Sequence, residues 1–92
     1  MNLRLHKGKV PIASANSIEF VEFPSRESFN AMYGNRVTVA HLARDWDILR
    51  DRASGLTLSE IKDKYAISRE RARQIEAKFL RLMRRAHSSR TD

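Results

Sequence analysis

The sequence predicts a mainly α-helical domain of three to four helices behind a short amino-terminal extension with room for strands. Three observations carry this expectation. Apolar residues return at intervals of three and four along the carboxyl-terminal half, two of the implied helices begin at recognisable capping residues, and only three residues separate those two helices. The chain has 92 residues, enough for one small core, and no cysteine, so neither a disulfide framework nor a thiolate metal site can supplement that core.

Residues 1–36 read as the extension. Ile18 to Phe23 is rich in β-branched and aromatic residues and suits a strand, with Leu3 to Leu5 or Val10 to Ile12 as alternative partners. Ser25 to Tyr33, after Pro24, suits a short helix, and Gly34 with Asn35 marks a junction. Residues 37–87 are expected to form the helical domain, and residues 88–92 a fraying polar tail opened by Ser88 and Ser89.

Within the helical part, Trp46, Leu49 and Ala53, with Ile48 alongside, predict a helix over about Arg44 to Ser54. Gly55 closes it, since glycine tolerates left-handed backbone. A backward extension through Val37 to Ala43 stays open, because Val37, Thr38 and Val39 are weak helix formers. Thr57 and Glu60 make a T-x-x-E capping box, and Leu58, Ile61 and Tyr65 form the apolar face of the short helix it starts. Ala66, Ile67 and Ser68 are the whole connection to the next helix, with Ile67 able to drop into the core. Ser68 is a natural N-cap, and Ala72, Ile75, Phe79, Leu82 and Ala86, with Met83 beside them, predict a helix from Arg69 to about Ala86. Two helices joined so tightly cross steeply, as in a helix-turn-helix.

The formal net charge of +7 is unevenly spread: residues 69–92 hold eight basic and three acidic groups, whereas residues 44–68 hold five of each. A concentrated basic segment attracts polyanions by releasing their condensed counterions. Opposite the apolar stripe of the last helix stand Arg69, Glu70, Arg73 and Gln74. Arginine can donate twice to guanine, glutamine can pair with adenine, and glutamate can accept from cytosine, so this surface suits base reading in the major groove. Arg71 and Lys78 lie towards its sides. With Lys62 and Lys64 on the supporting helix, and Thr57 and Ser68 at the two helix starts, they are the candidates for phosphate contact.

A charged stripe is commonly no more than the solvated face of a helix. Here it coincides with a supporting helix and a tight turn that projects its amino-terminal end, the combination a DNA reader needs. Trp46, Tyr65, Phe79 and Met83 fall at helical spacing and read as core. His6, His41 and His87 are too scattered for a metal site and read as surface residues.

The run from Thr57 to Arg81, above all Ser-Arg-Glu-Arg-Ala-Arg-Gln-Ile-Glu-Ala-Lys from Ser68 to Lys78, resembles region 4.2 of bacterial sigma factors of the sigma-70 family. Arg44-Asp-Trp-Asp-Ile-Leu-Arg followed by Gly55-Leu-Thr-Leu is similar to the end of region 4.1, so the resemblance covers about residues 44–86. It implies a recognition helix that reads a promoter −35 element through Arg69, Glu70, Arg73 and Gln74. Lys78 and Arg81 would lie on the face offered to activator proteins. It also implies RNA polymerase as a partner, although the first helix of the groove that holds the polymerase flap is not recognisable. Lys62 stands where such motifs favour a small residue, so its stem is expected to run along the partner helix with the ammonium in solvent. Starting at Met1, the chain has no counterpart of the regions that read the −10 element, and a complete sigma factor is not expected.

The functional expectation is a sequence-specific transcriptional regulator that binds double-stranded DNA, with a homodimer as the usual remedy for the short site one reader covers. An adaptor that binds RNA polymerase or a sigma factor is the alternative. Asp45 with Asp47, and Asp51 near Glu60, have no nucleophile, ligand set or phosphate loop beside them, so no catalytic, metal or cofactor site is expected. No apolar run approaches the about 18 residues of a membrane span, and the expectation is a cytoplasmic protein. Nothing in the residues separates a bacterial chromosomal origin from a phage or plasmid one.

Overall fold

The computed structural model describes residues 4–5, 7–13, 17–34 and 38–90. A hairpin of β1 (Lys9–Ala13) and β2 (Ile18–Glu22) leads into α1 (Arg26–Tyr33), α2 (Val39–Ser54), α3 (Leu58–Tyr65) and α4 (Arg69–Arg90). No helix among the described residues is long and apolar enough to cross a membrane.

Each helix starts where a side-chain oxygen satisfies a free backbone N–H. Ser25 accepts from Ser28 N–H, Thr38 from His41 N–H and Ser68 from Arg71 N–H. The capping box forms in both directions: Thr57 Oγ1 accepts from Glu60 N–H at 3.1 Å and Glu60 Oε1 from Thr57 N–H at 2.8 Å. A box of this kind contributes about 1 kcal/mol. The Thr38 cap settles the start of α2, and so the backward extension is real from Val39 onwards; Val37, like Leu3, His6 and Asn35, lies outside the described residues. α2 ends at Gly55, whose φ of 120° is one that side chains rarely adopt.

Of the two partners expected for β2, Val10 to Ile12 is the one it takes. β2 pairs antiparallel with β1, Val10 opposite Val21 and Ile12 opposite Glu19, while Arg4 and Leu5 are not in a strand. Leu5 is instead buried, and its N–H donates to Glu76 Oε2 at 3.0 Å. The polar tail expected from Ser88 does not begin there, because α4 continues to Arg90. Neither glycine nor proline stands after Ala86 to stop the helix.

One core joins the extension to the helices. Leu5, Val10 and Ile12 pack with Phe29 and Tyr33 of α1, Trp46, Ile48, Leu49 and Ala53 of α2, Ile61 of α3, and Ala72, Ile75, Phe79 and Leu82 of α4. Phe29 is its aromatic centre, with ring centroids 4.8 Å from Tyr33, 5.1 Å from Trp46 and 5.9 Å from Phe79. Trp46 and Phe79 are buried as expected and Met83 half-buried; Tyr65 is half-buried, its hydroxyl donating to Asp51.

Charge is buried at two points. Arg52 and Glu76 pair at 3.3 Å with side chains only 11 % and 9 % exposed, and Arg52 also donates to Leu56 C=O at 2.8 Å. Asp45 is 1 % exposed and accepts from the Tyr33 hydroxyl at 2.8 Å. Burial, then the Asp45 hydrogen bond and charge, push the Tyr33 hydroxyl well above its ordinary pKa.

The turn after α3 carries local strain. Ala66 sits in left-handed backbone at φ 55° and ψ 46°, with its methyl exposed. That conformation costs a non-glycine residue about 1–2 kcal/mol. Ala66→Gly is therefore expected to stabilise the fold by about 1 kcal/mol, read as a rise of about 4–8 °C in Tm.

Candidate nucleic-acid interface

The helix-turn-helix is built from the core outwards. Ile61, fully buried, fixes α3 against α2 and α4, and Ile67 packs half-buried in the turn, so α4 is held at a set angle as it emerges. Ser68 caps it, with Oγ 3.0 Å from Arg71 N. Ala72, Ile75 and Phe79 turn inward, which leaves Arg69, Glu70, Arg73 and Gln74 outward on the first two turns, all four exposed.

Three of these side chains form a network. Glu70 accepts from Arg73 Nε at 3.0 Å and Nη2 at 2.5 Å, and from Gln74 Nε2 at 3.5 Å. The Arg73 hydrogen bonds hold the Glu70 carboxyl below the usual carboxylate range and push the guanidinium higher still. Glu70 thus remains ionised and aligns one arginine and one glutamine side by side at the exposed end of α4. An arginine and a glutamine so held carry donors of the kind that can meet base edges.

The other candidates sit in several environments. Lys62 is exposed, its ammonium 3.6 Å from Asp63, with half of the side chain in solvent. Its ammonium reaches water as expected. Arg71 is exposed, and near enough to Tyr33 of α1 for its charge to act on that hydroxyl. Lys78 is half-buried, with its ammonium 5.0 Å from the centre of the Tyr33 ring. Lys64 turns to α2, where its Nζ lies 2.7 Å from Asp51 Oδ2. Burial raises the Asp51 carboxyl, but hydrogen bonds from Lys64 and Tyr65, with the Lys64 charge, outweigh it and hold the group low. Thr57 and Ser68 are engaged as caps, each oxygen accepting from a backbone N–H. Of the histidines, His41 is exposed, while His87 is half-buried and 3.3 Å from Glu19.

Arg81 is exposed beside the hairpin. Pro11 and Ala13 of β1 line a shallow groove with Ala77, Leu80, Arg81 and Arg84 of α4. Ala77 follows Glu70 by seven residues, about two turns, so the hairpin lies along the continuation of the face that carries Glu70, Arg73 and Gln74. Nothing in the residue pattern indicated this contact. Glu76 was also missed, although a glutamate on the apolar stripe of a helix is a recognisable signal for a buried partner.

The family model described as Sigma-70, region 4, matches residues 42–85. That segment, from the second turn of α2 almost to the end of α4, is a sigma-70 region 4-like helix-turn-helix domain, a DNA-binding module of transcription. The hairpin and α1 lie outside the matched span. No curated protein and no solved structure gives a match.

Proposed function

We propose that this protein is a transcriptional regulator that binds a specific double-stranded DNA site by placing the amino-terminal turns of α4 in the major groove. The observation that carries the reading is the Glu70–Arg73–Gln74 network on the exposed end of a capped helix in a region 4-like domain. Arg69, Arg73 and Gln74 read bases, with Glu70 aligning the last two and able to accept from cytosine. Lys62 and Arg71, exposed to either side, contact phosphates. Lys64 and Lys78 serve mainly to seat α3 and α4, since each already has a partner in the fold. A −35-like promoter element or an operator of similar length would suit a reader of this size. Two copies on adjacent half-sites would supply the length that one reader lacks.

Selection of bound DNA from a random pool tests this directly, and enrichment of one short motif is the expected result. On the selected site, Arg73→Ala should lose about 1–3 kcal/mol and relax sequence preference. Lys62→Ala should weaken all sequences alike and lower the salt slope by about one. Gel shifts on specific and scrambled DNA at two salt concentrations read both effects. Equal losses from both substitutions would remove the base-reading assignment. No enrichment, together with recovery of RNA polymerase from high-salt pull-downs, would favour an adaptor instead.

A further inference from the structure

We infer that the open edge of β2 is a self-association surface, on which a second copy of this chain lays its own β2 antiparallel to give a four-stranded sheet. The inference rests on the reading that two copies act together, and it assigns the surface. The backbone pattern defines that edge. Phe23 N–H donates to Gly8 C=O at 3.0 Å, so Gly8 and Phe23 are a hydrogen-bonded pair. Pairs alternate along an antiparallel ladder, which makes Val10–Val21 and Ile12–Glu19 hydrogen-bonded pairs as well. The N–H and C=O groups of Ile18, Phe20 and Glu22 therefore point away from β1.

The two edges of the hairpin differ. On β1, the outward position opposite Phe20 is Pro11, which has no N–H, and the strand lies against α4. β2 has no proline, and among the described residues no strand other than β1 pairs with it. At its centre stands Phe20, 60 % exposed, the one large apolar side chain so exposed among the described residues.

β2 is complementary to itself. With Phe20 on a two-fold axis, its N–H and C=O meet those of Phe20 in the second copy and the two rings adjoin. Ile18 then opposes Glu22, and Glu19 opposes Val21, so no two carboxylates face each other. Within each copy Glu22 is already paired with Lys9, and Glu19 lies beside His87. The acidic character of β2 makes nucleic acid a poor occupant of this edge. A strand of five residues buries less than a standard interface, so the dimer is weak in free solution and strengthened when two half-sites hold both copies.

Analytical ultracentrifugation of the full chain into the high micromolar range tests the inference. Expected are a monomer–dimer equilibrium for the wild type and at least tenfold weaker association for Phe20→Lys, which opposes two ammonium groups across the axis. Phe20→Pro removes the outward N–H together with the ring while sparing the N–H groups that pair with β1, and should also be monomeric. Amide exchange gives a measurement that needs no variant: Ile18, Phe20 and Glu22 amides should slow as wild-type concentration rises, while the Val21 amide should not change with it. A wild type that stays monomeric, or a dimer unaffected by Phe20→Lys, would overturn the proposal and leave the edge to a strand of another protein. Binding of Phe20→Lys to a single half-site should equal that of wild type. Failure of DNA binding by every form would thus remove the functional reading without touching self-association.

Discussion

Replacing Glu76 by alanine should destabilise the fold by about 3–5 kcal/mol, because it strands the buried Arg52 guanidinium and the Leu5 N–H at once. For a domain of this size that is a large part of the total stability. Urea unfolding followed by the fluorescence of Trp46, the single tryptophan, would measure it. Glu76→Gln should cost distinctly less, since an amide oxygen can still accept from Leu5. If the alanine and glutamine variants lose the same small amount, the buried pair is not what ties the amino terminus to α4. The expected loss also has a functional side: Glu76 lies one turn after Ala72 on α4, so a helix released there would lose its fixed angle to α3.

The second large effect is expected at Phe29. Truncation to alanine empties the centre of the cluster formed with Tyr33, Trp46 and Phe79, and should cost about 3–5 kcal/mol. α1 lies outside the region 4-like span, so this substitution asks whether the extension is part of the same folding unit. A single cooperative transition at lower urea would show that it is. A variant that keeps wild-type stability of α2 to α4 would instead make the extension an appendage.

The parts of the fold readable from the residues were those whose causes are local. The capping box at Thr57, the cap at Ser68, the three-residue turn and the spacing of Ala72, Ile75, Phe79 and Leu82 all act within a few positions, and the corresponding elements stand where they were expected. What escaped depends on distant partners. Leu5 could be assigned to a strand until Glu76, 71 positions away, is seen to claim its N–H. Val10 and Ile12 could only be offered as alternative partners for β2, because two-residue periodicity does not state which strand lies beside which. Lys64 looks like any exposed helix lysine until Asp51 of α2 is placed against it. In the candidate site, the outward position of Arg69, Glu70, Arg73 and Gln74 followed from periodicity alone. The link from Glu70 to Arg73 is an i, i+3 contact that the spacing permits, and only rotamers decide it.

The placement of β1 along α4 bears on how much of that helix can face DNA. α4 has 22 residues, about 33 Å, and from the level of Ala77 onward Pro11 and Ala13 flank its outward face across a groove, with Arg81 and Arg84 still exposed. About two turns of α4, or roughly 12 Å, precede that level. In the proposed complex the stretch of α4 open to base edges would thus end where a strand that touches none of them draws alongside.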